Sequence, residues 1–192
     1  MNYQVQVAID GVLYKTLADI VPERGPMRRL IVAKTPAPIS VEKGHYFQGK
    51  QGQMFWKKLR DYELIRTPDG EQPDDFLLDH GFGITDIVKI PRAYGSEPSE
   101  AEYRAGLSRI LQLIRELKPQ VLMFVYKRVL DQVLSLSFGH RQKSIYGFNQ
   151  DLDRFFGSRV FAFPMPGTPC SATNARRAMA QLQQVMHVVP TT

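Results

Sequence analysis

Two proline-rich turns carry the residues of this chain best placed to do chemistry. One follows the apolar run Leu30-Ile31-Val32-Ala33 as Lys34-Thr35-Pro36-Ala37-Pro38, then continues through His45-Tyr46-Phe47-Gln48-Gly49-Lys50-Gln51-Gly52. The other follows Val160-Phe161-Ala162-Phe163 as Pro164-Met165-Pro166-Gly167-Thr168-Pro169-Cys170. Each joins a buried-strand pattern to a helix-like segment. In an open α/β sheet, ligands bind outside the carboxyl ends of strands, where such turns gather, so the two are expected to wall one pocket.

Cys170, just before a helix start, stands where a thiolate is favoured, but no histidine is near it in sequence to serve as a base. A buried, inert thiol is its other reading. With one cysteine the chain can form no intramolecular disulfide and no multi-cysteine zinc or iron–sulfur site. The four histidines are far apart with no i, i+4 pair, so no metal site is expected, and no cofactor. His80, beside Gly81, reads as a residue at a helix carboxyl end interacting with the dipole.

The elements that must position these turns follow from periodicity. Apolar runs alternate with helical patterns, as in a parallel sheet with crossover helices, and the fold class is α/β. Leu30 to Ala33, Ile84 to Ile90, Val121 to Val125 and Val160 to Phe163 read as strands. Val121 to Val125 is apolar almost throughout, as in a strand covered on both faces. Gln53 to Tyr62, Ser99 to Lys118, Lys127 to Leu136 and a last segment through Ala175, Met179, Leu182 and Met186 read as helices. Ser99 with Glu102 makes a capping box, and Ser171 or Thr173 caps the last helix. Asp74 to Gly81 reads as a short helix with acids in its first turn. Phe138 to Gly157 shows no clean period and reads as a long excursion. Residues 1–27 read as a peripheral helix or strand outside the main pattern, within one domain spanning 1–192.

The bulk numbers set bounds. At 192 residues with 43% apolar and 23% charged content, the chain suits one soluble core. It has no run of the ~18 apolar residues that a membrane span requires, and no signal-peptide pattern at its start. A cytoplasmic protein with no membrane partner is expected, and nothing demands a second subunit, so a monomer is expected too. The 25 Lys and Arg against 19 Asp and Glu leave a net charge of +6, which favours a polyanionic partner.

Four segments, in order, resemble the motifs of the uracil-DNA glycosylase superfamily from about Leu30 to Leu182. Ala33-Lys34-Thr35-Pro36-Ala37 is similar to that family's first loop, G-x-N-P-G or G-E-A-P-G. Phe47-Gln48-Gly49-Lys50-Gln51-Gly52-Gln53-Met54-Phe55-Trp56 is similar to its aromatic followed by G-R-A-G-Q or P-A-N-R-F-W. Ile84-Thr85-Asp86-Ile87-Val88-Lys89 is similar to I-T-N-V-V-K, and Met165-Pro166-Gly167-Thr168 to H-P-S-x or N-P-S-G. The mismatch-specific and thermophile-type branches look nearest.

The resemblance implies a three-layer α/β/α domain with a four-stranded parallel sheet, acting on duplex or single-stranded DNA. Such enzymes extrude a base and hydrolyse its N-glycosidic bond. Phe47 would stack on that base, with Tyr46 the substitute if the register slips by one; a core position is the alternative for Phe47. Ala33, Lys34 and Met165 would line the base. Lys50 would contact phosphate, with Gly49 and Gly52 allowing backbone amides to approach. Gly167 and Thr168 would press into the DNA groove. Ser171, Asn174, Arg176 and Arg177 would meet phosphates, although the two arginines read equally as a solvated helix face.

Three departures qualify the resemblance. Thr35 stands where the family holds its attacking water with Asp, Asn or Glu, and a neutral hydroxyl is a poor base. Met165 stands where His or Asn stabilises the departing base, and a thioether donates no hydrogen bond. Asp86 stands where many members read uracil with Asn. Either the catalytic groups are displaced, with Asp86, Glu42, Lys43 and His45 as candidates, or the pocket binds without hydrolysing. An ionised Asp86 would repel uracil O4 and accept from an exocyclic amino group; capping a turn is its quiet alternative. A hydrolase of free nucleosides or nucleotides is a third reading of the same pocket.

Overall fold

In the computed structural model, which describes residues 1–93, 95–139 and 143–187, the chain begins with an antiparallel hairpin, β1 (Gln4–Ile9) and β2 (Val12–Leu17). Its two-residue turn is Asp10-Gly11, both with positive φ (50° and 78°). That conformation matches the twist of the flanking strands and suits this residue pair. The segment is not merely peripheral. Leu17 and Ile20 are buried in the core, and Ile20 bridges to Ile84 through paired backbone bonds of 3.0 and 2.9 Å.

The main sheet has five strands in the order β4-β3-β5-β7-β6. β3 (Arg29–Ala33), β4 (Phe82–Asp86), β5 (Val121–Phe124) and β7 (Arg159–Ala162) are parallel, as the alternating pattern requires. The four-stranded sheet expected from the resemblance is corrected by β6 (Gly147–Phe148), a two-residue antiparallel edge strand on β7. It lies within the expected excursion, of which residues 140–142 fall outside the described chain. Two residues are too few to show a period, so the pattern could not announce it. β4 also ends at Asp86, four residues short of the expected Ile90.

Helices cover both faces. On one face Ile31, Ala33, Phe82, Ile84, Met123 and Phe161 meet α2 (Lys50–Asp61) and α6 (Ala172–His187). On the other, Leu30, Val32, Leu122, Phe124 and Val160 meet α3 (Glu100–Leu117) and α4 (Lys127–Phe138). Two short helices, α1 (Pro38–Lys43) and α5 (Asp153–Phe156), close loops. Asp74 lies in a single 3-10 turn, Pro73–Phe76. The capping box is formed: Ser99 Oγ accepts from Glu102 N at 3.2 Å, and Glu102 Oε2 from Ser99 N at 2.7 Å. At the last helix Ser171, not Thr173, is the cap, accepting from Asn174 N at 3.2 Å.

Gly106 sets how closely α3 approaches the end of β4. A Cβ there would stand 2.0 Å from the carbonyl oxygen of Ile87, a backbone atom that no side-chain rotation can move. Gly106→Ala is expected to destabilise the fold by about 1–3 kcal/mol. A denaturant midpoint equal to wild type would show that α3 can withdraw freely.

Candidate active site

The first turn is fixed by continuing the β3–β4 pairing past the strands. Ala33 O accepts from Ile87 N, Lys34 O from Val88 N and Pro36 O from Arg92 N, each at 3.0 Å. Thr35 sits half-buried within this zipped segment, while the Ala33 side chain lies in the core. Lys34 is engaged with Glu97, its Nζ 3.0 Å from Oε1, and with Ser96 O at 3.4 Å. Glu42 is exposed on α1, and its backbone oxygen accepts from Gln4 Nε2 at 2.9 Å.

His45 is buried, with Nδ1 3.0 Å from Asp74 Oδ1 and the Tyr3 ring edge-on at 5.8 Å. The other Asp74 oxygen accepts from Tyr46 N at 2.7 Å. Burial raises the Asp74 carboxyl above its ordinary range, and the bonds from Tyr46 and His45 oppose that rise. His45, Asp74 and Asp75 bring ligand atoms within 4.8 Å of one another, the spacing a metal would use. Asp74 is committed to this pairing and Asp75 Oδ2 to the terminal amine at 3.2 Å, while Asp75 Oδ1 is buried with no hydrogen-bond partner among the described residues. The His45–Asp74–Tyr46 bonds anchor the turn that follows.

That turn holds Phe47 in the left-handed region, at φ 58°. The conformation costs a bulky residue on the order of 1–3 kcal/mol, and persists only where its surroundings impose it. Here they do. Gln48 N donates to Ser40 Oγ at 3.0 Å, and Trp56 Nε1 to Tyr46 O at 3.1 Å. The Phe47 ring lies 4.7 Å from the Phe55 ring and 5.5 Å from that of Trp56, yet stays only half-buried. α2 starts at once, capped by Gly49, and Gly52 in its first turn packs against the Phe47 backbone. Tyr46, by contrast, is fully enclosed.

Asp86 ends β4 beside Ala33 and is 1% exposed. Its Oδ2 is buried with no hydrogen-bond partner among the described residues. Four groups surround it. Tyr46 Oη donates to Ala18 O at 2.9 Å, and Lys89 Nζ lies 3.4 Å from that Oη. Asp19 binds Lys89 at 2.5 Å and Arg109 at 2.7 Å, and accepts from Thr85 Oγ1 at 2.6 Å. Arg109 also donates to the Asp86 backbone oxygen. Burial pushes the Asp86 carboxyl up to about 6, with Asp19 adding to the rise and Lys89, Arg109 and Tyr46 working against it. Sequence reasoning found Asp86 but neither Asp19 nor Arg109, which lie 67 and 23 positions away along the chain.

The second turn is tied to the first through α2. Gln51 accepts from Tyr126 Oη at 3.2 Å and donates to Pro166 O at 3.5 Å, and Lys58 Nζ donates to Pro164 O at 2.9 Å. Met165 is 1% exposed and belongs to the core, as Phe161 and Phe163 do. Gly167 is exposed with φ 82°, and Thr168 Oγ1 donates to Met165 O at 2.6 Å. Lys50, Ser171, Asn174, Arg176 and Arg177 are exposed. Burial pushes the Cys170 thiol up, the opposite of what a nucleophile requires. His80 lies at the turn after Leu77, its Nε2 within 3.0 Å of Arg66 N.

Residues 23–186 match the family described as the Uracil DNA glycosylase superfamily.

Proposed function

The chain belongs to the uracil DNA glycosylase superfamily, and from that premise we propose that it hydrolyses the N-glycosidic bond of a single deaminated or damaged base extruded from DNA. The observation that carries this reading is the buried, unpartnered Oδ2 of Asp86, whose carboxyl faces Tyr46, the residue before the strained Phe47 turn. A half-buried ring in an imposed conformation gives an extruded base a face to stack on. A buried acceptor without a partner is costly unless a ligand completes it.

Asp86 reads the base edge in a way set by its proton. Ionised, it is acceptor-only and suits a base offering an exocyclic amino group beside a ring N–H. Protonated, it offers one donor and one acceptor, the pair a carboxamide offers, and suits the O4 and N3–H of uracil. Thr35 orients the water. The water oxygen bonds to C1′ as the C1′–N bond breaks, its electron pair passes to the base nitrogen, and the water's proton leaves to solvent. With Met165 in the core, the negative charge developing on uracil is met by the Asp86 O–H rather than from the second turn.

Oligonucleotides bearing uracil, hypoxanthine, xanthine or cytosine derivatives, assayed for abasic sites, test this reading. Cleavable sites on at least one substrate, reduced in Thr35→Ala, are the expected outcome. A neutral Thr35 and a buried Met165 favour a second reading, a DNA-binding relative without hydrolysis. Salt-sensitive DNA binding with no base released from any substrate would establish that reading instead.

A further inference from the structure

Beyond the two turns, a cavity of about 650 Å³ runs between α6 and the β6 edge of the sheet. Its lining includes three cations, Lys127, Arg159 and Arg177, and, among the described residues, no carboxylate. Tyr146 and Phe148 add half-buried aromatic surface, and Arg159 lies over the Phe148 ring at 4.5 Å. Asn174, Gln181 and Gln184 add amides. Asp131 holds the wall at one end, accepting from Lys127 Nζ and from Ser144 N and Oγ, each at 2.7 Å. Among the described residues Arg159 and Arg177 have no ion pair.

This composition is specific in its chemistry. With Lys127 held by Asp131, Arg159 and Arg177 remain as uncompensated charges that attract a polyanion. Aromatic rings recessed in a groove are out of reach of duplex phosphates but accessible to unstacked bases. The groove shares elements with the candidate active site: Asn174 and Arg177 lie in the first two turns of the helix that follows the second turn, and Lys127 opens the helix after β5. Arg159, at the amino end of β7, marks its far end. From Asn174 to Val185, α6 spans roughly 16 Å at 1.5 Å per residue, room for a few nucleotides.

We propose that the groove between α6 and β6 binds unpaired nucleic acid, taking a single strand that runs on from the extruded base. The site rests on the reading of the carboxyl face as a DNA surface, but its failure can be told apart from the failure of that reading. Fluorescence anisotropy of the full chain with single-stranded oligonucleotides and with a matched duplex reads the groove; abasic-site release reads the active site. Arg159→Glu is expected to lose at least tenfold in single-strand affinity and less on the duplex, and Tyr146→Ala several-fold on single strands only. Arg159→Gln is expected to reduce the slope of log K against log salt by about 0.7, the value of one single-strand phosphate contact. Arg115→Glu, at an exposed position on α3, controls for net charge and is expected to bind as wild type. Equal losses on both substrates, or losses matched by the Arg115 variant, overturn the groove. Intact groove behaviour with no base released from any substrate leaves it standing and removes hydrolysis.

Discussion

Asp86→Asn is expected to free uracil excision from pH and to exceed wild type by roughly a hundredfold at pH 8. Reading uracil requires a donor and an acceptor, and the wild-type carboxyl offers both only while protonated. With its pKa pushed up to about 6, chiefly by burial, the protonated fraction falls roughly tenfold for each pH unit above that value. Wild-type uracil release should therefore decline from pH 6 to 8, while an amide, which does not titrate, holds level. A substrate with an exocyclic amino group should show the reverse order between the two proteins. Removing Asp19 takes away the like charge that contributes to the rise, and leaves Lys89 and Arg109 facing Asp86 alone. The break in the profile of Asp19→Asn should accordingly move below 6. Uracil profiles that coincide for wild type and Asp86→Asn would remove base reading from this residue.

Stability gives the same carboxyl an independent readout. Its folded pKa lies above the unfolded one, so its contribution is fully present below about pH 4 and is lost as pH rises through 6. The loss is on the order of 3 kcal/mol. Asp86→Asn should gain on wild type by that order between pH 4 and 8, measured as denaturant midpoints, even if both proteins are inactive.

How much of this was legible in the sequence depended on range. β3, β5 and β7 announce themselves because consecutive apolar residues covered on both faces need no partner to be recognised. The α3 capping box lies within four residues and was equally plain. The hairpin is also written locally, in Asp10-Gly11 between apolar alternations, although alternation this short does not by itself separate strand from helix over residues 1–27. The burial of Met165 had a signal too: Phe161, Phe163 and Met165 alternate with period two into one core. What no local pattern holds is the company Asp86 keeps. Asp19 arrives from the segment after the hairpin and Arg109 from the third turn of α3. The shift that makes Asp86 chemically distinctive is made by tertiary folding alone. His45 shows the same limit from the other side, since its loop position gives no hint that Asp74 and Tyr3 enclose it.

Gly52→Ala should disable the site almost as fully as loss of the Phe47 ring, although alanine is the better helix former. A Cβ on Gly52 would lie 2.4 Å from the Phe47 carbonyl oxygen and 2.5 Å from its Cα. Both are backbone atoms, so the turn itself must move, and with it the ring. Phe47→Ala removes stacking worth about 1–3 kcal/mol, a loss of roughly 5- to 150-fold in substrate affinity or turnover. The two variants should part in stability. Phe47→Ala gives up contacts with Phe55 and Trp56 and keeps the Cβ that strains a left-handed backbone, whereas glycine removes that Cβ. Phe47→Gly should therefore be no less stable than Phe47→Ala, against the usual cost of glycine, while being equally inactive. Gly52→Ala, which compresses the turn without relieving it, should be less stable than either. Activity retained in Phe47→Gly would mean that the ring serves only the core, and that the strain at this turn supports nothing a base could use.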